Sequence, residues 1–368
     1  MSTDRRMTMH DRMLAVVQGR EHDRVPFAQY NIRTDPDPSI VVGLAAPNAD
    51  IWSVIGRENM GIIRWGRVHR AEQPNCTLQS EKIFSGGLPG KRTVLQTPLG
   101  SLTEERFYEP AYDAPCVRKY FVAEPKDYEI LACYLRDTVL HETVDDYLAI
   151  ARAVGDDGVV PLWVGRTPFQ QLWIEWVSIE NLAWHLSECP DLVEECVSLM
   201  TRNLRRLFQI ISTAPIPYAV FPDNITAPVI GETYFRRYCV PLYNELADIL
   251  AERGLLVLVH MDGALKPLWK AIGESKVGGL ESFSPPPGND TSAKDALSQW
   301  PNMRLLLNFP SPAHLGTQEQ IYETAARILQ EAGHSGHLQI QISENVPAGV
   351  WRQSFPVIVK AIEDFGTP

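Results

Sequence analysis
Several signatures are missing from this chain of 368 residues. It has no GxGxxG after its first apolar run and no GxxxxGK[ST], which excludes a dinucleotide fingerprint and a P-loop. There is no GxSxG elbow. The six cysteines, Cys76, Cys116, Cys133, Cys189, Cys196 and Cys239, include no CxxC pair. Their spacing supports no cysteine zinc site, and scattered thiols in a chain this long fit a reducing cytoplasm. No run of eighteen apolar residues occurs, so no membrane-spanning helix is expected. The opening MSTDRRMTMHDRMLAVVQGR carries no apolar h-region and no small-residue cleavage site, and a cytoplasmic location is expected. Positive charge is scarce: 34 Lys and Arg stand against 45 Asp and Glu, a net −11. With no run of five like charges, nucleic acid is not an expected partner. The local RNLRR at 202–206 reads as the solvated face of a helix.

What the chain has is alternation. Apolar residues make up 45% of it, enough for a large core. Short apolar runs alternate with longer segments of helical period, the pattern of a parallel α/β fold. The runs are VPFAQY (25–30), GIIRW (61–65), GVVPLW (158–163), YAVF (218–221), LLVLVH (255–260), GGLESF (278–283), MRLLLNF (303–309) and LQIQIS (338–343). Eight such runs predict an α/β chain folded as a (β/α)8 TIM barrel, with 1–368 as a single domain. Between them, 141–155 opens with the cap candidate Thr143 and closes at Gly155, and 318–333 and 352–366 each stop at a glycine. The segment 232–254 should break near Pro241. Residues 67–122, rich in Gly, Pro, Thr and aromatics, read as an antiparallel β insertion after strand 2, with turns at 86–87 and 98–100.

Barrel chemistry sits where strands end and βα loops begin. The polar residues there are Gln29, Asn31 and Arg33 after strand 1, Arg166 after strand 3, Asp223 and Asn224 after strand 4, and His260 and Asp262 after strand 5. Glu281 and Asp290 follow from strand 6, Asn308 from strand 7, and Glu344 and Asn345 from strand 8. One imidazole and up to four carboxylates thus converge. Unpaired carboxylates at that density repel one another, and a divalent cation is the simplest resolution. Zinc, manganese and iron all accept such ligands. Taken singly, each residue also has a structural reading: Asp223 as a turn cap, His260 as a satisfied core histidine, Asp262 as a helix cap. The aromatics Tyr30, Trp163, Phe169, Trp173 and Trp176 follow strands 1 and 3. They read as packing, with a subset free to line a pocket for an aromatic substrate.

The stretches RMLAVVQGREHDRVPF, PDNITAPVIGETYFRRYCVPLYNELADILAERGLLVLVHMDGALKPLW, GGLESFSPPPGNDTSAKDA and ISENVPAGVWRQSFPVIVKAIEDFG resemble, in place and order, the uroporphyrinogen-decarboxylase-like superfamily. The resemblance covers nearly the whole chain and implies a TIM barrel. True uroporphyrinogen decarboxylases carry an arginine-rich motif at strand 1, whereas here VPFAQYNIRTDPDP offers only Arg33. An eight-carboxylate porphyrinogen is therefore not the implied substrate. The thiol-methylating corrinoid-linked members use His-x-Cys and a later Cys for zinc. The matching positions here are His260, Asp262 and Glu344, so oxygen replaces both thiolates. A harder site suits an ether or phenol oxygen.

The resemblance accordingly implies an O-demethylating methyltransferase that moves a methyl group from a methoxylated aromatic donor to Co(I) of a separate corrinoid protein. On that reading His260, Glu281 and Glu344 hold zinc, and Asp262 is a further ligand or orients His260. Asp223 and Asn224 act on the substrate with Asp262, and Tyr30, Asn31, Arg33, Arg166 and Asn308 bind it. The expected partners are a small-molecule methyl donor and a corrinoid protein; a homodimer is allowed. Two rivals remain open. One is a decarboxylase or lyase for a smaller carboxylic acid held by Arg33 and Arg166. The other is a non-catalytic module that holds a corrinoid or tetrapyrrole at the barrel mouth.

Overall fold
A computed structural model of the chain describes residues 7–30, 49–111, 114–344, 346 and 349–367. The chain divides into two compact units. The first takes Met1–Val68, Val144–Gly165 and Ala214–Pro368; the second takes His69–Thr143 and Arg166–Thr213.

In the first unit nine strand segments form one parallel sheet. They are Phe27–Tyr30, Gly61–Ile63, Gly158–Val159, Leu162–Trp163, Ala219–Phe221, Val257–His260, Gly279–Phe283, Arg304–Asn308 and Leu338–Ile342. Gly158–Val159 pairs with the second strand and Leu162–Trp163 with Ala219–Phe221, so the two are halves of the single run GVVPLW. Phe27–Tyr30 in turn pairs with Leu338–Ile342. The eight runs therefore close on themselves as a TIM barrel, with Gly158–Trp163 as the third strand. Almost every strand residue is buried, because the strands are covered on both faces.

Alternation along each strand sends every second side chain inward. Ala28, Tyr30, Ile63, Val159, Tyr218, Val220, Leu258 and Leu306 form one cluster there, joined by Met9, Met13 and Val17. Those last three lie on the helix Met9–Gln18, which starts at a Thr8 capping box and stops at the left-handed Gly19. The helix packs so tightly against the start of the second strand that a Cβ at Gly61 would come 2.3 Å from Met9 Cγ. One end of the barrel is thus plugged by a helix, and polar interior residues gather at the other.

Helices cover the strands. The break expected near Pro241 appears as a π turn, Phe235–Cys239, between Ala227–Tyr234 and Val240–Ala251. The last helix, Trp351–Phe365, keeps Pro356 inside it.

The second unit holds a four-stranded antiparallel sheet of Thr77–Ser85, Leu88–Thr97, Gly100–Glu109 and Ala114–Lys119. Its first turn puts Gly86 at φ 57° and Gly87 at φ 79°, the two positive dihedrals of a tight hairpin. A short ladder of His69–Glu72 with Val139–Glu142 is also present. The segment after the third barrel strand belongs here too, because its long helix Pro190–Thr213 bonds back to the preceding region. Asn203 Nδ2 donates to Leu135 O at 2.8 Å and Arg206 Nη1 to Thr138 O at 2.9 Å. On that helix Arg202, Arg205 and Arg206 face solvent, as RNLRR suggested. Among the described residues no helix is long and apolar enough to cross a membrane.

Candidate active site at the barrel mouth
The site is built on strand ends in register. His260, the last residue of Val257–His260, pairs in register with Glu281, and the inward alternation turns both side chains into the barrel. The imidazole Nδ1 lies 2.6 Å from Glu281 Oε2, and Nε2 lies 3.3 Å from Asp262 Oδ2. A ring with a carboxylate at each nitrogen is satisfied only when both nitrogens donate, that is, as an imidazolium. Burial alone would pull its pKa down, but the Glu281 and Asp262 carboxylates outweigh it and raise it to about 10. Burial also opposes ionisation of Asp262. Nevertheless the His260 imidazolium and the Asn224 amide, 2.8 Å away, hold its carboxyl below the usual range.

Glu281 is 1% exposed and has three partners. Tyr30, at the end of the first strand, donates its hydroxyl to Oε1, and Gln341 Nε2 donates to the same oxygen at 2.6 Å. Gln339 Nε2 in turn donates to Gln341 Oε1 at 3.1 Å. Burial and the adjacent Glu281 charge keep the Tyr30 hydroxyl well above the ordinary phenol range, so it stays a donor. Two residues beside this network adopt the left-handed region that side chains avoid, Asn224 at φ 49° and Ser282 at φ 54°. Ser282 sits where the sixth strand slips register against the seventh, a bulge that sets the direction of Glu281. Strain of this kind persists where surrounding structure enforces it, and it clusters at functional sites.

Aromatic rings adjoin this network through Tyr30. The Tyr30 ring meets Trp65 edge-on at 5.4 Å, and Trp65 meets Trp163 edge-on at 5.2 Å. Arg67 stands 5.9 Å over the Trp163 ring. Tyr30 thus belongs to both halves: its ring begins the aromatic wall and its hydroxyl reaches the charged cluster.

Other expected site residues lie elsewhere. Asp223 is fully buried and accepts the Tyr243 hydroxyl from the helix Val240–Ala251, on the outer side of its strand. Asn308 is 1% exposed and ties loops together: its amide reaches Ser284 Oγ at 3.5 Å and accepts Ser343 N at 3.0 Å. Asp290 accepts the backbone N–H of Leu265 at 2.8 Å and serves a loop. Arg166 belongs to the second unit, where its Nε lies 3.4 Å from Glu175. Asn31, Arg33 and Asn345 fall outside the described residues.

The arrangement does not fit the expected metal set of His260, Glu281 and Glu344. Glu344 is exposed and accepts the Ser311 hydroxyl. Glu281 stands behind the His260 ring on Nδ1, in the position of an orienting carboxylate. That leaves His260 Nε2 and Asp262 as two donors where a catalytic zinc takes three. Among the described residues no group of three His, Cys, Asp or Glu side chains is placed to hold a metal ion.

Sequence reasoning missed Gln341, Gln339 and Trp65. The signal for the glutamines was available: in LQIQI the two sit at alternate positions of a strand buried on both faces, so both point into the barrel. Trp65 closes the apolar run GIIRW, two residues past the strand's end at Ile63.

Comparison with known proteins bears on the family and the fold. The sequence pattern of the uroporphyrinogen decarboxylase (URO-D) family matches residues 160–347, more than half of the chain. The chain belongs to that family. Among solved structures, a methyltransferase from Methanosarcina mazei superposes with a TM-score of 0.56 at 14% identity, covering 98% of this chain and 99% of that one. At that identity the likeness is one of fold. That likeness of fold spans nearly the whole length. No curated protein matches the chain in sequence.

Proposed function
We propose that this URO-D family member is a methyltransferase that demethylates a methoxylated aromatic compound. What supports the reading is one feature: a wall of Tyr30, Trp65 and Trp163 joined, through the Tyr30 hydroxyl, to the Glu281–His260–Asp262 cluster. An aromatic ring stacks on the wall, and its ether oxygen reaches His260. The methyltransferase likeness of the fold is consistent with this.

His260 acts as the acid. Glu281 holds Nδ1 and keeps the ring charged, and Nε2, beside half-open Asp262, is the nitrogen that meets substrate. As the methyl group leaves, the electron pair of the breaking carbon–oxygen bond stays on the aromatic oxygen. His260 Nε2 gives that oxygen its proton, so a phenol departs, and solvent then restores the imidazolium. A phenol has an ordinary pKa of about 10, so an imidazolium held near the same value transfers its proton at little cost. A Co(I) corrinoid on a separate protein supplies the nucleophile that takes the methyl group. No metal ion is required at His260. The rival decarboxylase reading loses a support, since Arg166 is engaged with Glu175.

The test is methyl transfer from a methoxybenzene to Co(I) cobalamin, followed by the cobalamin spectrum. Wild type should turn over, and His260→Gln should lose about 10²- to 10⁴-fold, the range of a general acid. Retained activity in His260→Gln would sink the acid role. So would one equivalent of tightly bound metal that disappears in Asp262→Ala.

A further inference from the structure
The second barrel strand goes on sending side chains inward past Ile63. Arg64 N donates to Val159 O at 3.1 Å, Gly66 N to Pro161 O at 3.0 Å and Trp163 N to Gly66 O at 2.8 Å. The chain therefore runs on in register beside the third strand as far as Gly66. Ile63 belongs to the interior cluster and Trp65 packs against it. A Cβ on Gly66 would instead meet Tyr147, on the covering helix Val144–Val154. Alternation thus sends Arg67 to the inner side with Ile63 and Trp65, one step nearer the mouth. Its guanidinium stands there over the Trp163 ring at 5.9 Å, and Trp163 is the ring that meets Trp65 at 5.2 Å.

Arg67 is exposed, and among the described residues its guanidinium makes no hydrogen bond and no ion pair. Arg12, Arg57, Arg92 and Arg106 each hold a carboxylate of the chain. At Arg67 the planar fork is open, and it lies at the end of a row of aromatic rings. A flat ring that bears an anion is the complement of such a surface. The charges at the other end of the row are unequal, because one imidazolium, His260, stands between the carboxylates of Glu281 and Asp262. An anionic group on the substrate is repelled from that end and attracted to Arg67.

We propose that Arg67 receives a carboxylate borne on the substrate ring, so that the methyl donor is a methoxylated benzoic acid. This rests on the function proposed above for the mouth. The ring lies along Trp65 and Trp163, with its ether oxygen at His260 and its carboxylate on the guanidinium fork. Trp65 and Trp163 stand between Tyr30 and Arg67, so the two polar groups belong at opposite ends of the ring, the para arrangement. Arg67 takes no part in proton transfer; it selects which ring is held.

The probes are para-hydroxybenzoate, the demethylated form of such a donor, and para-hydroxybenzamide, its uncharged counterpart. Their calorimetric titration needs neither corrinoid nor turnover. Wild type should bind the acid about tenfold tighter than the amide at low salt, and the preference should shrink as salt is added. It should vanish in Arg67→Gln and survive in part in Arg67→Lys, which keeps the charge and loses the fork. Arg67 is exposed, so both variants should fold. Equal affinity for acid and amide in wild type overturns the proposal. So does an undiminished preference in Arg67→Gln, or failure of both compounds to bind. Methyl transfer from methoxybenzene with no preference for the acid leaves the proposed function standing and removes this inference. Binding of the acid that depends on Arg67, without methyl transfer, does the reverse.

Discussion
The two ends of the barrel are made from the same strands and solve opposite problems. At the starting ends of the strands, Met9, Met13 and Val17 fill the interior with a helix, and close fit does the stabilising. At the finishing ends the interior is filled by Tyr30, His260, Glu281, Gln339 and Gln341, and hydrogen bonds do it. A methionine plug tolerates loss of polarity and resists gain of volume. A buried ion-pair network tolerates neither loss of a partner nor loss of charge. The contrast separates where this protein keeps its stability from where it keeps its chemistry.

The comparison is broken most strongly at Glu281. Glu281→Gln preserves shape and removes the charge that holds His260 protonated; methyl transfer should fall about 10²-fold or more, read as kcat. At the other end Gly61→Ala should leave kcat unchanged and lower stability by about 1–3 kcal/mol, seen as a shift in denaturant midpoint at constant slope, because the new methyl meets Met9. Trp163→Leu should raise KM for an aromatic donor about three- to tenfold while kcat changes less, since it removes a stacking surface and no reacting group.

The smallest effects come from two histidines held in opposite ways. His260 is raised to about 10, so its contribution to stability is complete below its unfolded value of about 6.5 and is lost as pH rises toward 10. His314 is buried between Phe309 and Phe355, bonded to Ser354 Oγ at 2.9 Å, and pushed down to about 4 by burial. Its unfolded form takes a proton near 6.5 and its folded form refuses one until about 4, so stability falls as pH drops through that window. Thermal unfolding across pH should therefore lose its alkaline slope in His260→Gln and part of its acid slope in His314→Gln.

Much of the barrel was legible because its signal is local. Each apolar run became a strand, and the runs ending at Tyr30 and His260 placed those residues at the mouth. What was not legible depends on pairing between distant residues. Asp223 and Asn308 end their strands as expected, yet the first turns to Tyr243 and the second binds loop atoms, and no spacing rule reports that. Glu344 was grouped with His260 by motif, although the chain after the eighth strand delivers it to Ser311. The joining of Arg166–Thr213 to the region before it was not legible for the same reason: it rests on tertiary contacts, among them the bonds from Asn203, Arg206 and Arg136.

The third strand has one more consequence. Pro161 interrupts it and offers no amide hydrogen: Gly158–Val159 pairs with the second strand and Leu162–Trp163 with the fourth over two residues each, and one bridge from Leu162 to Gly66 joins the second half back to the second strand. The closed sheet therefore has a seam. Amide hydrogens at Gly158–Trp163 should exchange with solvent sooner than those of Arg304–Asn308, and the barrel should begin to breathe there before it opens anywhere else along the sheet.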